Sequence, residues 1–274
     1  MSDMLEVRIL GCGSSGGVPR LGGEGEAGFW GACDPANPKN RRRRCSLLVR
    51  RKSPAGETRV LVDTSPDLRE QLLDAKVARL DGVLITHDHA DQLHGMDDLR
   101  VITLNTRSRV DVWTDAVTMD GMMRKFGYCF VQPPGSDYPP ILNAHEIPEP
   151  FAPFEVAGPG GTLPIAAFGQ RHGRIRSLGF RFGPVAYSPD VDALDARAFA
   201  ALEGVECWIV DALRHTPHPS HAHLERTLEW IARVGPKRAI LTNMHVDLDY
   251  DALRKELPAG VEPGFDGMTL DFPL

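Results

Sequence analysis

The sequence predicts an α/β protein in which two packed β-sheets are flanked by helices. Two β-rich halves of the chain are each followed by segments with helical patterning. Several apolar runs that resemble buried strands end in acidic or imidazole side chains, which is where α/β proteins place functional sites. The chain has 274 residues and shows no repeat or linker, so we predict a single domain over residues 1–274.

Composition and charge are those of an ordinary globular protein. Hydrophobic residues make up 42% of the chain and charged residues 25%, so disorder is not expected. The formal net charge of -6 argues against a protein that coats nucleic acid. No apolar run approaches the ~20 residues that span a bilayer, and MSDMLEVRIL does not resemble a secretory signal. We predict a cytoplasmic protein with no membrane partner and no stable nucleic-acid partner, and leave a homodimer open.

The first half of the chain alternates apolar runs with helix signals. A strand over Met4–Leu10 leads into GCGSSGGVPRLGGEGEAG, which we interpret as a loop beside a site, with a phosphate cradle as the alternative. Ser-Pro-Asp at 65–67 opens a short helix, and Leu80–Thr86 has the continuous apolar pattern of a central strand. The remaining elements predicted here are strands over Cys45–Arg51, Thr58–Asp63 and Val110–Trp113 and helices over residues 92–104 and 115–126.

The second half begins with an irregular connection and continues with short strands. Residues 132–150 contain six prolines, which predicts an irregular segment or a lid. Four strand runs follow: FAPFEVA, TLPIAAF, SLGFRF and PVAYS. Cys207–Asp211 and Ala239–Thr242 have the pattern of buried strands, and MTLDF that of an edge strand. His221–Val234 is amphipathic and predicts a helix.

The segment ITHDHADQLHG at residues 85–95 carries the most specific chemical signal. His87 and His89 are one residue apart beyond a strand, so in an extended chain both imidazoles point to the same side. Asp91 continues the series, whereas Asp88 points away. Two imidazoles and a carboxylate form a donor set suited to zinc, manganese or iron. A polar loop with capping aspartates is the alternative, but it does not explain this spacing.

Isolated candidates follow other apolar runs. His172, Asp190 and His245 each come directly after such a run, the position expected of a site at the carboxyl ends of strands. Asp63 follows the same rule, and we interpret it as a group that orients a liganding imidazole. His172, Asp190 and His245 are each a weak signal alone, but all three lie just past the end of a predicted strand.

These segments together resemble the metallo-β-lactamase-fold hydrolases. The H-x-H-x-D of His87, His89 and Asp91 is that family's signature, and the other candidates follow in its order. Within the family the chain is most similar to the phosphoribosyl cyclic phosphodiesterases (PhnP-like). The similar segments are LGCGSSGGVP, RRCSLLV, THDHAD, AYSPD, the SH before the helix, ILTNMH and GFDGM. The resemblance covers nearly the whole chain and implies an αββα sandwich of two mixed β-sheets flanked by helices.

The resemblance also implies two divalent metal ions, zinc or manganese, and assigns roles to residues. One ion would be bound by His87, His89, His172 and Asp190. The second would be bound by Asp91, with Asp190 as a bridge, and Asp91 would also hold the attacking water in line. His221 would donate a proton to the leaving oxygen, since an imidazole with a pKa near ~6.5 can do so at neutral pH. His223 is the reserve candidate for that role.

The chain departs from the family pattern at three places. Gln92 stands where the family has a histidine, and Asn243 stands where its last histidine usually lies. Amide oxygens are poorer ligands than imidazole for such metals, so we predict a weaker second metal site, with His245 as a replacement ligand. Only Cys33 lies where related proteins cluster cysteines, so we predict no structural zinc. The five cysteines form no Cys-x-x-Cys pair and are expected to be reduced and mostly buried.

A basic run, RRRR at residues 41–44, precedes the second strand. A solvated basic loop is the simpler interpretation. The alternative is that an arginine such as Arg44, with its planar bidentate donors, contacts a substrate phosphate, and His223 is a further candidate for that contact.

The residues therefore favour a metal-dependent phosphodiesterase acting on a small cyclic phosphate or a nucleotide-like ester. A thioester or lactam hydrolase and an RNA-processing nuclease of the same fold are alternatives that a substrate panel separates. A non-catalytic accessory protein with a degraded second metal site is the third, and Gln92 and Asn243 are the features in its favour. The sequence does not name the substrate or choose between zinc and manganese.

Overall fold

The computed structural model describes residues 3–149 and 151–274 in two compact units. The first unit comprises the chain up to Leu10, residues 46–164 and residues 269–274, and the second comprises residues 11–45 and 165–268. Pro150, part of the predicted irregular connection, lies outside the described residues. The single domain over 1–274 stays a prediction.

The first sheet has seven strands among the described residues. They are β1 (Met4–Gly11), β2 (Ser46–Ser53), β3 (Gly56–Val62), β4 (Gly82–Leu84), β5 (Val110–Thr114), β6 (Leu142–Glu146) and β14 (Thr269–Pro273). Their order is β14-β1-β2-β3-β4-β5-β6. β2 and β3 form an antiparallel hairpin, and β3 to β6 are parallel. Three parallel strands therefore bring the ends of β3, β4 and β5 to one edge of the sheet.

The second sheet is also mixed and seven-stranded within the described part of the chain. Its strands are β7 (Phe154–Val156), β8 (Leu163–His172), β9 (Ile175–Phe182), β10 (Val185–Ser188), β11 (Cys207–Asp211), β12 (Arg238–Thr242) and β13 (Val261–Pro263). The order is β13-β12-β11-β10-β9-β8-β7. β9 is antiparallel to both β8 and β10, and β10 to β13 are parallel. Consequently β8, β10, β11 and β12 all run in the same direction.

Helices connect the parallel strands and cover their apolar faces. They are α1 (Leu68–Asp74), α2 (Ala90–Leu93), α3 (Leu99–Thr106), α4 (Ala116–Phe130), α5 (Ala196–Ala201), α6 (Leu224–Val234) and α7 (Tyr250–Glu256). In the first unit, Leu68, Leu99 and Met122 from three of these helices share one buried core with Leu61 and Val83 of the sheet. Burying each such side chain contributes roughly 1.5–3 kcal/mol, so the amphipathic helices stabilise the sheet they cover.

The predicted fold class is confirmed, since two mixed sheets flanked by helices are present. The predicted helix over residues 92–104 is wrong in its extent, because the chain breaks at Gly95. A Cβ there would lie 2.1 Å from the Ser65 carbonyl oxygen, so only glycine fits this close approach. β6, α5, α7 and β13 were not predicted. None of the helices in the described ranges is both long and apolar enough to cross a lipid bilayer.

The basic run at residues 41–44 is not a uniformly solvated loop. Arg42 is 1% exposed. Its guanidinium donates to the carbonyl oxygens of Leu248 at 2.7 Å and His245 at 3.3 Å and to Asn40 Oδ1 at 3.3 Å. It therefore fastens the chain before β2 to the segment that follows β12. Of the four arginines, Arg41 is exposed and Arg43 and Arg44 are partly buried, so the interpretation of the run as a solvated basic loop is wrong for Arg42.

All five cysteines are free and buried, as predicted. Cys12 lies at the end of β1, where its backbone N–H donates to Asp266 Oδ1 at 3.1 Å. Asp266 Oδ2 accepts from the Arg43 backbone N–H at 2.8 Å and ion-pairs with its side chain. Burial raises the pKa of Asp266 to about 6, and the bonds from Arg43 only partly offset it. Asp266 thus joins two loops of the second unit as a carboxylate that binds a proton readily.

We expect Asp266 to make the folded protein more stable as the pH falls. The pKa of Asp266 is higher in the folded than in the unfolded chain. Its contribution to the free energy of unfolding is therefore complete below the unfolded pKa and is lost as the pH rises through about 6. When the pH is lowered from 7.5 to 4, the free energy of unfolding of the wild type should rise by about 2–3 kcal/mol relative to that of Asp266→Asn. Urea unfolding across this range measures it. The exposed Asp271→Asn is the control, and an identical pH dependence in all three proteins would contradict the expectation.

Candidate functional site

In the second unit, three parallel strands deliver polar side chains to one edge of the sheet. The register pairs Ser188 of β10 with Val210 of β11, and Asp211 of β11 with Thr242 of β12. Asp211 is the last residue of its strand, while Asp190 and Asn243 come just after theirs. β8 runs in the same direction and ends at His172. The sheet therefore carries four polar side chains at its carboxyl edge.

The side chains of His172, Asp190 and His221 converge at this edge. One ligand atom from each lies within 4.8 Å of the others. Asp190 Oδ1 is 3.9 Å from His172 Nε2 and 3.9 Å from His221 Nδ1, and the two imidazole rings are 4.6 Å apart. His172 and Asp190 are buried, at 4% and 2% exposure. Imidazole and carboxylate donors at such separations are the chemistry that a divalent transition metal binds, so the residues present fit a metal ion.

Hydrogen bonds fix the orientation of both imidazoles. His172 Nδ1 lies 2.6 Å from the Ser220 carbonyl oxygen, so Nδ1 carries the proton and Nε2 carries the lone pair. His221 Nδ1 lies 2.8 Å from Asp211 Oδ2 and 3.1 Å from Asn243 Nδ2. A hydrogen bond from the far ring nitrogen is the usual way in which proteins orient a liganding or catalytic histidine.

Asp211 is a functional candidate that the sequence reasoning missed. It is fully buried, and its Oδ2 also accepts from the Val191 backbone N–H at 3.0 Å. Burial raises its pKa, and the neighbouring His221 opposes this shift. The signal was available, because Asp211 ends a strand run in the way that Asp63 follows one.

In the first unit, His87 is held by a relay that begins at Asp63. Asp63 Oδ1 accepts from the Thr86 backbone N–H at 2.8 Å, and both of its oxygens are 3.0 Å from Thr86 Oγ1. Thr86 Oγ1 in turn lies 3.0 Å from His87 Nδ1. Because the hydroxyl donates to Asp63, it accepts from His87, so Nε2 carries the lone pair. Asp63 therefore acts on His87 through Thr86.

The rest of the H-x-H-x-D segment is arranged around the start of α2. The rings of His87 and His89 are 4.6 Å apart at 72°, with His87 buried and His89 exposed. Asp91 is in the first turn of α2, and its Oδ2 accepts from Gln92 Nε2 at 3.2 Å. Asp88 points away, as predicted, and forms an ion pair of 2.8 Å with Lys125.

Other candidates lie in different surroundings. His245 Nδ1 is 3.1 Å from Asp247 Oδ2, and among the described residues His245 joins no converging group of metal donors. His223 is the residue before α6, with its Nε2 3.9 Å from Glu225. His221 therefore lies in the loop that precedes the helix, not at its start. Arg44 forms a backbone bridge with Gly13. The roles predicted for these residues stay predictions.

Three site residues have a left-handed backbone. The φ angles are 62° for Asp63, 26° for Asp190 and 59° for Asn243. Asp and Asn tolerate this region better than other non-glycine residues, but it still costs of order 1–3 kcal/mol. Such strain tends to occur at functional sites, and here it turns the chain sharply at the ends of β3, β10 and β12.

Comparisons with known proteins agree with this geometry. Residues 58–244 match the model of the beta-lactamase superfamily domain. A crystal structure described as a new diphosphatase from the PhnP family has a TM-score of 0.84 and 28% identity, covering 99% of this chain and 98% of that one. Zn²⁺-bound PqqB from Methylobacterium extorquens has a TM-score of 0.69 at 18% identity, covering 97% and 100%, and shows the fold alone.

Two curated relatives have other names. An octanoyltransferase from Porphyromonas gingivalis is 32% identical over 265 residues, which are 95% of this chain and 50% of that protein. A ribonuclease Z from a Bradyrhizobium strain is 33% identical over 150 residues, 53% of this chain and 46% of that protein. The chain thus spans about half the length of the curated relatives it matches.

We expect one tight and one weaker metal equivalent, because Gln92 and Asn243 offer amides where imidazoles would bind better. Asn243→His should tighten the weaker equivalent by about tenfold or more, which corresponds to ~1.4 kcal/mol. Histidine tolerates the left-handed backbone at this position. Calorimetric titration with zinc and with manganese measures both affinities. Asn105→His, on the exposed face of α3, is the control, and two equal tight sites in the wild type would overturn the expectation.

Proposed function

Because the chain belongs to the beta-lactamase superfamily and has the metallo-β-lactamase fold, we propose that it is a metal-dependent phosphodiesterase that hydrolyses a small phosphodiester. The observation that carries the proposal is the convergence of two candidate metal ligands, His172 and Asp190, with the candidate proton donor His221 at the carboxyl edge of the second sheet. Proteins of this fold bind divalent metals, and one similar structure holds zinc.

The proposed ligands follow the family pattern. They are His87, His89, Asp91, His172 and Asp190 for two ions, zinc or manganese, with His245 in reserve for the weaker one. A bound ion of this kind lowers the pKa of water toward neutrality and neutralises charge on a phosphoryl oxygen. Asp63, acting through Thr86, sets the tautomer of His87. The Ser220 carbonyl does the same for His172.

His221 and Asp211 form the pair that would handle the proton. The Asp211 carboxylate accepts from Nδ1 of His221, which favours the imidazolium and presents Nε2–H as an acid. A departing sugar alkoxide needs such a proton. Asp211 keeps the ring in one orientation. Asn243 donates a side-chain hydrogen bond to the same carboxylate and so helps to orient Asp211.

The likeness to the PhnP-family diphosphatase favours phosphoester chemistry over the alternatives, because it extends over both chains almost completely. The Bradyrhizobium ribonuclease Z aligns with only 53% of this chain, and the acidic net charge of -6 disfavours a large RNA partner. The octanoyltransferase is twice the length that this chain covers, so its named activity does not transfer. A small phosphate ester is therefore the substrate we propose, without a stable nucleic-acid or membrane partner.

Asp190→Ala should lower the kcat/KM for a cyclic phosphodiester by at least about a hundredfold, since the proposed bridging carboxylate is lost. The test is a panel of a 2′,3′-cyclic nucleotide, a thioester, a lactam and a precursor RNA, with metal content measured on each preparation. The exposed Asp195→Asn, which retains a helix-capping oxygen, is the control. Wild-type turnover by Asp190→Ala, or preference for another member of the panel, would reject the proposal.

His221→Gln should slow substrates in proportion to the basicity of their leaving group. Release of an alkoxide needs a proton from the enzyme, whereas release of 4-nitrophenolate does not. We expect a loss of at least about a hundredfold on a cyclic nucleotide and less than about tenfold on bis(4-nitrophenyl) phosphate. His215→Gln, in the exposed part of the same loop, is the control. Equal losses on both substrates together with lost metal would instead identify His221 as a ligand.

A further inference from the structure

We propose that Ser177 is a positioning residue, which holds the strained backbone of Asp190 by a hydrogen bond and thereby sets where the Asp190 carboxylate lies. Ser46 has the same role toward Asp63 in the first unit. The hydrogen bonds themselves do not depend on the reaction. Their effect on a bound metal rests on the proposed function, in which Asp190 is a ligand.

A fully buried hydroxyl contacts the backbone of Asp190. Ser177 is 0% exposed, and its Oγ donates to the Asp190 carbonyl oxygen at 2.7 Å. Asp190 has a φ of 26°, a value that non-glycine residues rarely adopt. Such a backbone persists only where its surroundings hold it, and a buried carbonyl oxygen needs a donor. The serine hydroxyl meets both requirements.

The register of the sheet places the serine opposite the aspartate. β9 is antiparallel to β10, with Phe180 opposite Tyr187. Continuing this register past the end of β10 brings Ser177 opposite Asp190. The left-handed turn takes Asp190 out of the regular ladder, so a side-chain hydroxyl from the neighbouring strand satisfies its carbonyl oxygen.

A second buried side chain fixes the direction of the serine hydroxyl. Gln170 of β8 lies opposite Ser177 and is 3% exposed. Its Nε2 donates to Ser177 Oγ at 3.3 Å and lies 3.5 Å from the Pro189 carbonyl oxygen. An amide nitrogen only donates, so the serine hydrogen is directed to Asp190. A Cβ at Gly179 would lie 2.9 Å from Gln170 Oε1, so this glycine leaves room for the amide.

The same hairpin of β8 and β9 also carries His172. The Arg171 N–H donates to the Ala193 carbonyl oxygen at 3.0 Å, and the Asp192 N–H donates to the Arg171 carbonyl oxygen at 2.9 Å. The hairpin therefore holds the chain on both sides of Asp190, and its first strand ends at His172. It thus sets the 3.9 Å between His172 Nε2 and Asp190 Oδ1.

The first unit contains the same arrangement. Ser46 is 0% exposed, and its Oγ lies 2.9 Å from the Asp63 carbonyl oxygen and 3.0 Å from that of Val62. Asp63 has a φ of 62°. β2 is antiparallel to β3 with Leu47 opposite Val62, so the next pair in register is Ser46 and Asp63. In each unit, a buried serine therefore faces a left-handed aspartate just past the end of an antiparallel neighbour.

The experiment compares zinc binding by variants that each lack one buried hydroxyl. Calorimetric titration of metal-free Ser177→Ala should show the tighter equivalent weakened by about 10–100-fold, the usual effect of removing a group that orients a metal ligand. Thr58→Val is the control. Thr58 is 0% exposed, and its hydroxyl donates to the Gly161 carbonyl oxygen at 2.5 Å, at the opposite end of β3 from Asp63. Thr58→Val should bind zinc as the wild type does.

Thermal melting separates positioning from a general loss of stability. Ser177→Ala and Thr58→Val should lower Tm by similar amounts, because each leaves a buried carbonyl oxygen without its donor. Ser177→Thr keeps the hydroxyl and should bind zinc within about threefold of the wild type. Unchanged zinc affinity in Ser177→Ala overturns the proposal. So does an equal loss of affinity in Thr58→Val or in Ser177→Thr.

Ser46→Ala provides an independent test in the other unit, which also serves if Ser177→Ala does not fold. Because Asp63 acts on His87 through Thr86, this variant should weaken zinc binding by about tenfold. Wild-type zinc affinity in Ser46→Ala overturns the role assigned to Ser46.

A crystal structure of metal-free Ser177→Ala tests the inference separately from the proposed function. The φ of Asp190 should become negative, and Asp190 Oδ1 should move away from His172 Nε2. An Asp190 that keeps the wild-type φ and distance overturns the inference. A wild type that binds no zinc and hydrolyses no phosphodiester rejects the proposed function, whereas the geometry of Asp190 in the variant still decides the role of Ser177.

Discussion

Parallel pairing of β10, β11 and β12 is the constraint on which the candidate site depends. Parallel strands in register end at the same edge, so residues that are far apart in sequence reach it together. Asp190, Asp211 and Asn243 arrive in this way, and β8 adds His172 because its direction is the same. A one-residue slip in any of these strands would turn a polar side chain away from the edge. The apolar interior of the sheet, which fixes the register, therefore also fixes the chemistry.

The residues at this edge of the sheet reduce the stability of the fold when no ligand is bound. Asp211 is fully buried, and its carboxylate is stabilised by hydrogen bonds from the Val191 backbone N–H, the His221 imidazole and the Asn243 side chain. Asp190 and Asn243 hold strained backbones on either side of it. A carboxylate buried this completely, next to two left-handed residues, lowers the stability of the fold. Such costs are typical of sites in which geometry is selected for function rather than for stability.

The sequence predicted the fold class and most strands because their apolar patterns are local. It also predicted that Asp88 points away from His87 and His89, which follows from the two-residue period of an extended chain. Asp63 was a candidate because it follows a strand run. It did not find β6, which lies in a proline-rich stretch and pairs with β5 through contacts that no local pattern reveals.

The missed features of the site share a physical cause. Asp211 ends a strand run, which makes it one candidate among several, but its partner His221 is ten residues away and meets it only after the loop folds back. The division of the arginine run into a buried Arg42 and an exposed Arg41 has no signal in the sequence, because it depends on carbonyl groups near residue 248. Sequence spacing identifies candidate ligands that are close in sequence. Partners that are brought together by tertiary structure are identified only from the three-dimensional structure.

Arg42 has a consequence for how the protein responds to salt. Its hydrogen bonds end on carbonyl and amide oxygens, and these dipolar contacts are buried. Dissolved ions screen exposed charge pairs over about 10 Å at 0.1 M ionic strength, but they scarcely reach an interior guanidinium. The segment carrying Asn243 and His245 is therefore held by Arg42 at high ionic strength as well as at low ionic strength. A change in catalytic rate with ionic strength would therefore report on charges at the protein surface and not on the anchoring of this segment.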